Sequence, residues 1–148
     1  MNETLLIGFK GKNNLSGVLV KALGRDYCLL TKSLSGVKKD IEAIDGVYDS
    51  FILFGVDKNL NGTVRIERTA EKDGVRYSSA LDPERMAEGF REAGLEAAVS
   101  ENPTAYLCNE AYWHLLRKFS GRAVLIHIPT MKNADELFAI KVQQALGL

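Results

Sequence analysis

Residues 95–129 read LEAAVSENPTAYLCNEAYWHLLRKFSGRAVLIHIP, and the order of elements in this stretch decides the fold. Leu95 to Glu101 is a short apolar strand, Asn102 to Thr104 a turn built on Pro103, and Ala105 to Phe119 a run with apolar residues at helical spacing. Ala123 to Pro129 is a second apolar strand. Strand, helix and strand in succession form the unit of an α/β layered domain, whose helices cover both faces of a mostly parallel sheet.

The flanking sequence extends this pattern. Leu5 to Phe9 reads as a buried first strand, Lys10 to Asn14 as a loop, and Leu15 to Gly24 as a helix whose apolar side carries Leu15, Val18, Leu19, Ala22 and Leu23. Tyr27 to Thr31 is a second strand, and Ser35 to Ile44, with a poor pattern, is a short helix or a loop. The continuous apolar run Ser50 to Val56 is the expected central parallel strand. Asp57 to Gly62 is a polar turn, Val64 to Glu67 an extended piece, and Asp73 with Gly74 a hairpin turn. Asp82 caps the next helix, Pro83 occupies its first position and Gly94 ends it. Asn133 to Leu146 reads as a final helix. The expectation is a single three-layer α/β domain over residues 1–148.

Composition excludes several classes of function. The 148 residues carry 19 basic and 19 acidic side chains, a net charge of +0. No basic stripe suits nucleic acid, and no apolar run reaches the ~18–20 residues that span a bilayer. The start MNETLLIGF lacks the charged and apolar regions of a secretory leader, so the expectation is a cytoplasmic protein. Cys28 and Cys108 are then expected as free thiols. Two histidines outside any metal-ligand spacing predict neither a metal nor a cofactor. The glycines near the first loop lack both the G-K-[ST] ending and the G-x-G-x-x-G spacing of phosphate loops.

Cys108 lies near the start of its helix and His127 near the end of the following strand. In a parallel sheet, helix starts and strand C-termini share one edge, where the two would meet. The helix dipole favours a thiolate at that position. His127 would take the thiol proton and pass it to a leaving group. A structural role fits the same residues, because Cys108 shares an apolar stripe with Ala111, Tyr112, Leu115 and Phe119, and free cysteine is among the most buried residue types. His127 would then be a hydrogen-bonded strand histidine. Glu67, between Ile66 and Arg68, reads by itself as half of a surface ion pair. His114 falls about 240° around the helix from Cys108 and is expected on the surface, with Tyr112 and Trp113 as packing groups.

AYLCN (105–109), VLIHIP (124–129) and RIERTA (65–70) occur in the order in which the pyroglutamyl peptidase family carries its Cys, His and Glu motifs. TLLIGF resembles that family's first strand and ELFAIKVQQAL its last helix, so the resemblance runs from end to end in pieces. It implies a cysteine peptidase with Cys108 as nucleophile, His127 as general base and acid, and Glu67 orienting the imidazole. It also implies that Arg76, nine residues after Glu67 where the family has ten, donates to the oxyanion. A solvated hairpin arginine fits Arg76 equally. Phe9 matches one of two phenylalanines that clasp the substrate ring, and equally fits a core aromatic closing its strand.

The implied substrate is a peptide or small amide, and homo-oligomer formation is left open. The departures concern specificity. Lys12 stands at the second phenylalanine, and Asn102, Pro103 and Thr104 replace the family's S-A-G before the nucleophile. The chain is shorter than family members after Glu67 and between Cys108 and His127. A scaffold that keeps the peptidase fold, or a cysteine hydrolase for another small amide or ester, are the alternative readings.

Overall fold

The computed structural model describes residues 3–148. A six-stranded sheet has the order β2-β1-β3-β8-β4-β7. Its strands are β1 (Thr4–Phe9), β2 (Tyr27–Leu30), β3 (Ser50–Val56), β4 (Thr63–Glu67), β7 (Glu96–Ser100) and β8 (Ala123–Ile128). β5 (Thr69–Lys72) and β6 (Val75–Ser78) form a separate antiparallel pair. Helices α1 (Leu15–Ala22), α3 (Pro83–Glu92) and α5 (Phe138–Leu146) cover one sheet face, and α2 (Leu34–Glu42) and α4 (Tyr106–Lys118) the other. The three-layer α/β architecture expected from the sequence is the one observed.

Local chemistry explains most element boundaries. Asn14, Ser33 and Asp82 each accept a backbone N–H at the start of α1, α2 and α3, which satisfies donors that a helix leaves unpaired. The Ser33 cap settles the stretch after it as helix over Leu34–Glu42. At the hairpin, Asp73 and Gly74 both take positive φ, 52° and 77°, the geometry that lets a two-residue turn follow the twist of its strands. Gly8 and Gly17 have a different reason to be glycine. A Cβ on Gly8 would sit 2.6 Å from Ser16 O, and one on Gly17 would sit 2.6 Å from Phe9 O. α1 can therefore lie directly against the end of β1.

One expectation is corrected. The last helix begins at Phe138 and not at Asn133. Met131–Asn133 form one 3₁₀ turn, Ala134 is extended, and Asp135 accepts the Leu137 N–H at 2.9 Å, starting a new turn that competes with a continuous helix. The sheet is mostly parallel, as expected, with one antiparallel pairing. β1, β2, β3 and β8 are mutually parallel, whereas β4 pairs antiparallel with β8 and carries β7 parallel to itself. β7 and β8 therefore end at opposite edges, and residues 101–105 bring the chain back before α4 begins.

Strand alternation then selects the residues beneath α4. Side chains two apart share a face. Phe51 and Leu53 of β3 and Ala123 and Leu125 of β8 belong to the core under α2 and α4, while Val64 and Ile66 of β4 belong to the opposite core. The same parity turns Gly55, His127, Arg65 and Glu67 toward α4. Gly55 pairs with His127 across the parallel ladder, and Arg65 pairs with His127 across the antiparallel one. Four residues distant in sequence become one patch.

Candidate active site

Cys108 is the third residue of α4, and the helix sets it over Gly55. A Cβ at position 55 would lie 2.7 Å from Cys108 Sγ and 3.4 Å from His127 Nε2. The thiol and the imidazole edge therefore occupy the small space that this glycine leaves open. At the other side of the ring, His127 Nδ1 is 2.8 Å from Glu67 Oε2. His127 is 3 % exposed and Glu67 1 %, so this contact is shielded from solvent and little screened.

Glu67 is held from three directions. Arg65 Nε donates to its Oε2 at 2.6 Å, and the Tyr112 hydroxyl, one turn beyond Cys108, donates to its carbonyl at 2.8 Å. Arg65 Nη2 also donates to Asp57 Oδ2 at 2.8 Å and lies 3.3 Å from His127 Nδ1. The Arg65 charge survives this partial burial. Desolvation works against it, but the hydrogen bonds and charges of Glu67 and Asp57 prevail and raise its pKa. Desolvation likewise works to raise the Asp57 carboxyl, and the Asn59 N–H and the Arg65 guanidinium outweigh it, holding the group below the usual carboxylate range.

The thiol behaves otherwise. Burial, followed by the negative charges of Glu67 and Asp57, pushes Cys108 up to about 11. Desolvation and two nearby carboxylates work against the thiolate that the helix start favours. At neutral pH the thiol is protonated. Its activation requires a base at the moment of attack, which the adjacent Nε2 can supply.

The remaining predicted residues lie elsewhere. Arg76 is on the hairpin with its Nε 3.3 Å from Glu71 Oε1, half-exposed. Phe9 is 2 % exposed and packed in the core under α4. His114 does not face the site, but it is buried and not on the surface, with Nε2 2.8 Å from Glu110 Oε2. The reason is that α2 and the β5–β6 hairpin cover the flanks of α4. Trp113 donates to Val75 O at 2.9 Å and packs on Tyr77, and Tyr112 is fully buried.

Sequence reasoning missed Arg65, Asp57 and Gly55. The i, i+2 spacing of Arg65 and Glu67 in a strand was a usable signal, since it places both on one face. Nothing local marks Gly55 or Asp57. Among the described residues, no group of three or more His, Cys, Asp or Glu side chains is placed to hold a metal ion, and no helix is long and apolar enough to cross a membrane.

Gly55 offers a direct probe of this geometry. Gly55→Ala is expected to lower Cys108 alkylation by iodoacetamide roughly 10- to 100-fold, because its methyl group forces Sγ out of register with Nε2, and displacements near 1 Å carry costs of that order. The thiol can rotate away, so the melting temperature should fall only a few degrees. Alkylation-rate and thermal-melt measurements check both expectations.

No family model matches the sequence. Over 53 residues the chain is 36 % identical to a pyrrolidone-carboxylate peptidase of Chromobacterium violaceum, a segment that spans 36 % of this chain and 25 % of that relative. The fold is similar to the crystal structure of pyroglutamyl peptidase I from Bacillus amyloliquefaciens, with 22 % identity, a TM-score of 0.75, and coverage of 99 % of this chain and 92 % of that one. It is similar also to the pyrrolidone carboxyl peptidase from Thermococcus litoralis, with 19 % identity, a TM-score of 0.75, and the same 99 % and 92 % coverage. These likenesses show a shared fold and a weak sequence homology to the pyroglutamyl peptidases, as of a divergent relative.

Proposed function

We propose that this chain is a cysteine hydrolase of the pyroglutamyl peptidase type, releasing an N-terminal pyroglutamyl or related cyclic amide group. The observation that carries the reading is His127, whose Nδ1 rests on the buried Glu67 carboxylate while its Nε2 and Cys108 Sγ both border Gly55. Nucleophile, base and orienting group are in the relative order that covalent catalysis needs.

In this mechanism Cys108 Sγ attacks the substrate carbonyl while its proton passes to His127 Nε2. The oxyanion meets backbone N–H groups at the start of α4, where Ala105 provides no side-chain cap to occupy them. The carbonyl re-forms as the C–N bond breaks, and Nε2 delivers its proton to the departing amine. Water then attacks the thioester, giving up a proton to Nε2 and restoring the thiol. Glu67 stabilises the imidazolium at each stage. Arg76 would assist the oxyanion only by leaving Glu71.

One observation favours a second reading, a cysteine hydrolase for another small amide or ester. Phe9 is enclosed in the core, and Lys12 is exposed where the resemblance would require a second aromatic. The test compares hydrolysis of a fluorogenic pyroglutamyl amide with that of prolyl, acetyl and short-chain ester substrates. Preferential release from the pyroglutamyl amide is expected. Turnover confined to another substrate retires the pyroglutamyl assignment, and a Cys108 that neither turns over nor alkylates faster than Cys28 leaves the scaffold reading.

A further inference from the structure

Arg65 is the only cation hydrogen-bonded to Glu67 or His127 among the described residues, and it is tied to a carboxylate on each side. A buried carboxylate against an imidazole can accept a hydrogen bond from the neutral ring, draw a proton onto the ring, or share its charge with another cation. The third weakens the second, and only a neutral His127 can accept the Cys108 proton. Arg65 Nε lies 2.6 Å from the same Glu67 Oε2 that contacts His127 Nδ1 at 2.8 Å, so the two cation-forming groups compete for one oxygen.

We propose that Arg65 and Asp57 are a pair of positioning residues of opposite sign that set the proton affinity of His127. The proposal rests on His127 being the catalytic base. Arg65 withholds part of the Glu67 charge and keeps the ring neutral until the thiol gives up its proton. Asp57 anchors Nη2 at 2.8 Å and offsets part of the guanidinium charge, so that His127 can still become an imidazolium during attack. The charged and titratable groups facing His127 are Arg65 and Glu67 from β4, Asp57 from the end of β3 and Cys108 from α4. The atoms nearest a Cβ at position 55 belong to Cys108 and His127, whereas Arg65 contacts Glu67, Asp57 and His127 Nδ1, so Arg65 and Asp57 act through His127.

A purely structural ion pair predicts that both variants lose activity in the same way. A charge-setting pair predicts shifts of opposite sign. Removing a unit charge 3.3 Å from Nδ1 moves the imidazole titration by about one pH unit even with water-like screening.

The experiment is NMR titration of the His127 ring signals in the full chain, with His114→Asn used to assign the two histidines. Arg65→Met is expected to raise the His127 midpoint by about one unit and Asp57→Asn to lower it. Arg65→Lys, which keeps the charge, should stay within about 0.3 unit of wild type, and Arg65→Gln, which removes it, serves if the Met variant does not fold. Where hydrolysis is measurable, the acid limb of kcat/KM should follow the same midpoints. Shifts of equal sign, or none beyond 0.3 unit in Asp57→Asn and a folded Arg65 variant that lacks the charge, overturn the proposal. The titration needs no substrate, so a wild-type chain inactive on every substrate tested retires the hydrolase reading separately.

Discussion

Cys108→Ser is expected to lower hydrolysis by about 10³-fold or more while leaving the fold intact. Sγ is the attacking atom in the proposed mechanism, and the residual rate would come from binding and oxyanion donors alone. A serine hydroxyl is smaller than the thiol and is accommodated where a Cβ would come within 2.7 Å of Sγ, so no overpacking follows. It fails chemically, because its proton is far harder to remove than that of a thiol already pushed up to about 11. Steady-state hydrolysis together with thermal melts checks the expectation. A variant retaining a tenth of the wild-type rate would remove Cys108 from the mechanism.

Glu67→Gln is expected to reduce kcat by about 10²- to 10⁴-fold with little change in KM. The amide has the shape of the carboxylate and keeps an acceptor for His127 Nδ1–H, but the charge that stabilises the imidazolium is gone. Arg65 then faces the ring with only Asp57 to balance it, so the His127 midpoint falls and the base weakens. A loss confined to KM would show that Glu67 shapes the substrate pocket. Some cost in stability is also expected, since Arg65 Nε loses a charged partner that is 1 % exposed, and breaking such pairs costs a few kcal/mol. Denaturant titration separates that cost from the catalytic one, because the kinetic assay reads the folded fraction.

Arg65 and Gly55 show why part of the site escapes a reading of motifs. Each motif residue is recognised within its own few neighbours, as Cys108 is in AYLCN and His127 in VLIHIP. The Arg65 role depends on the β4–β8 pairing, and the role of Gly55 depends on the helix above it; neither partner is within reach along the chain. The same limit explains Arg76. Its spacing from Glu67 matches a donor position almost to the residue, yet the I′-type turn at Asp73 and Gly74 places it opposite Glu71, where a local ion pair holds it.

His114 and the final helix fail for a related cause. A helical wheel assigns His114 to the side away from Cys108 correctly, but it cannot show that α2 and the hairpin bury that side as well. Asn133 to Phe138 carry a helix-compatible composition, and Asp135 nonetheless closes a turn with the Leu137 N–H. Short-range side-chain bonds of this kind compete with helix on nearly equal terms.

The sequence by itself determined most of the strands and helices and which of their faces are apolar. It also determined that one thiol, one imidazole and one carboxylate lie in the order of a known motif set. Those properties are local, because alternation, helical spacing and caps are written within a few residues. Only the tertiary structure decided that β4 runs antiparallel to β8, that Gly55 leaves room for Cys108 beside His127, and that Arg65 and Asp57 complete the charge balance. Strand direction and interlayer approach arise from contacts between residues sixty or more positions apart, such as Glu67 and His127. Their energies exist only once the layers have packed.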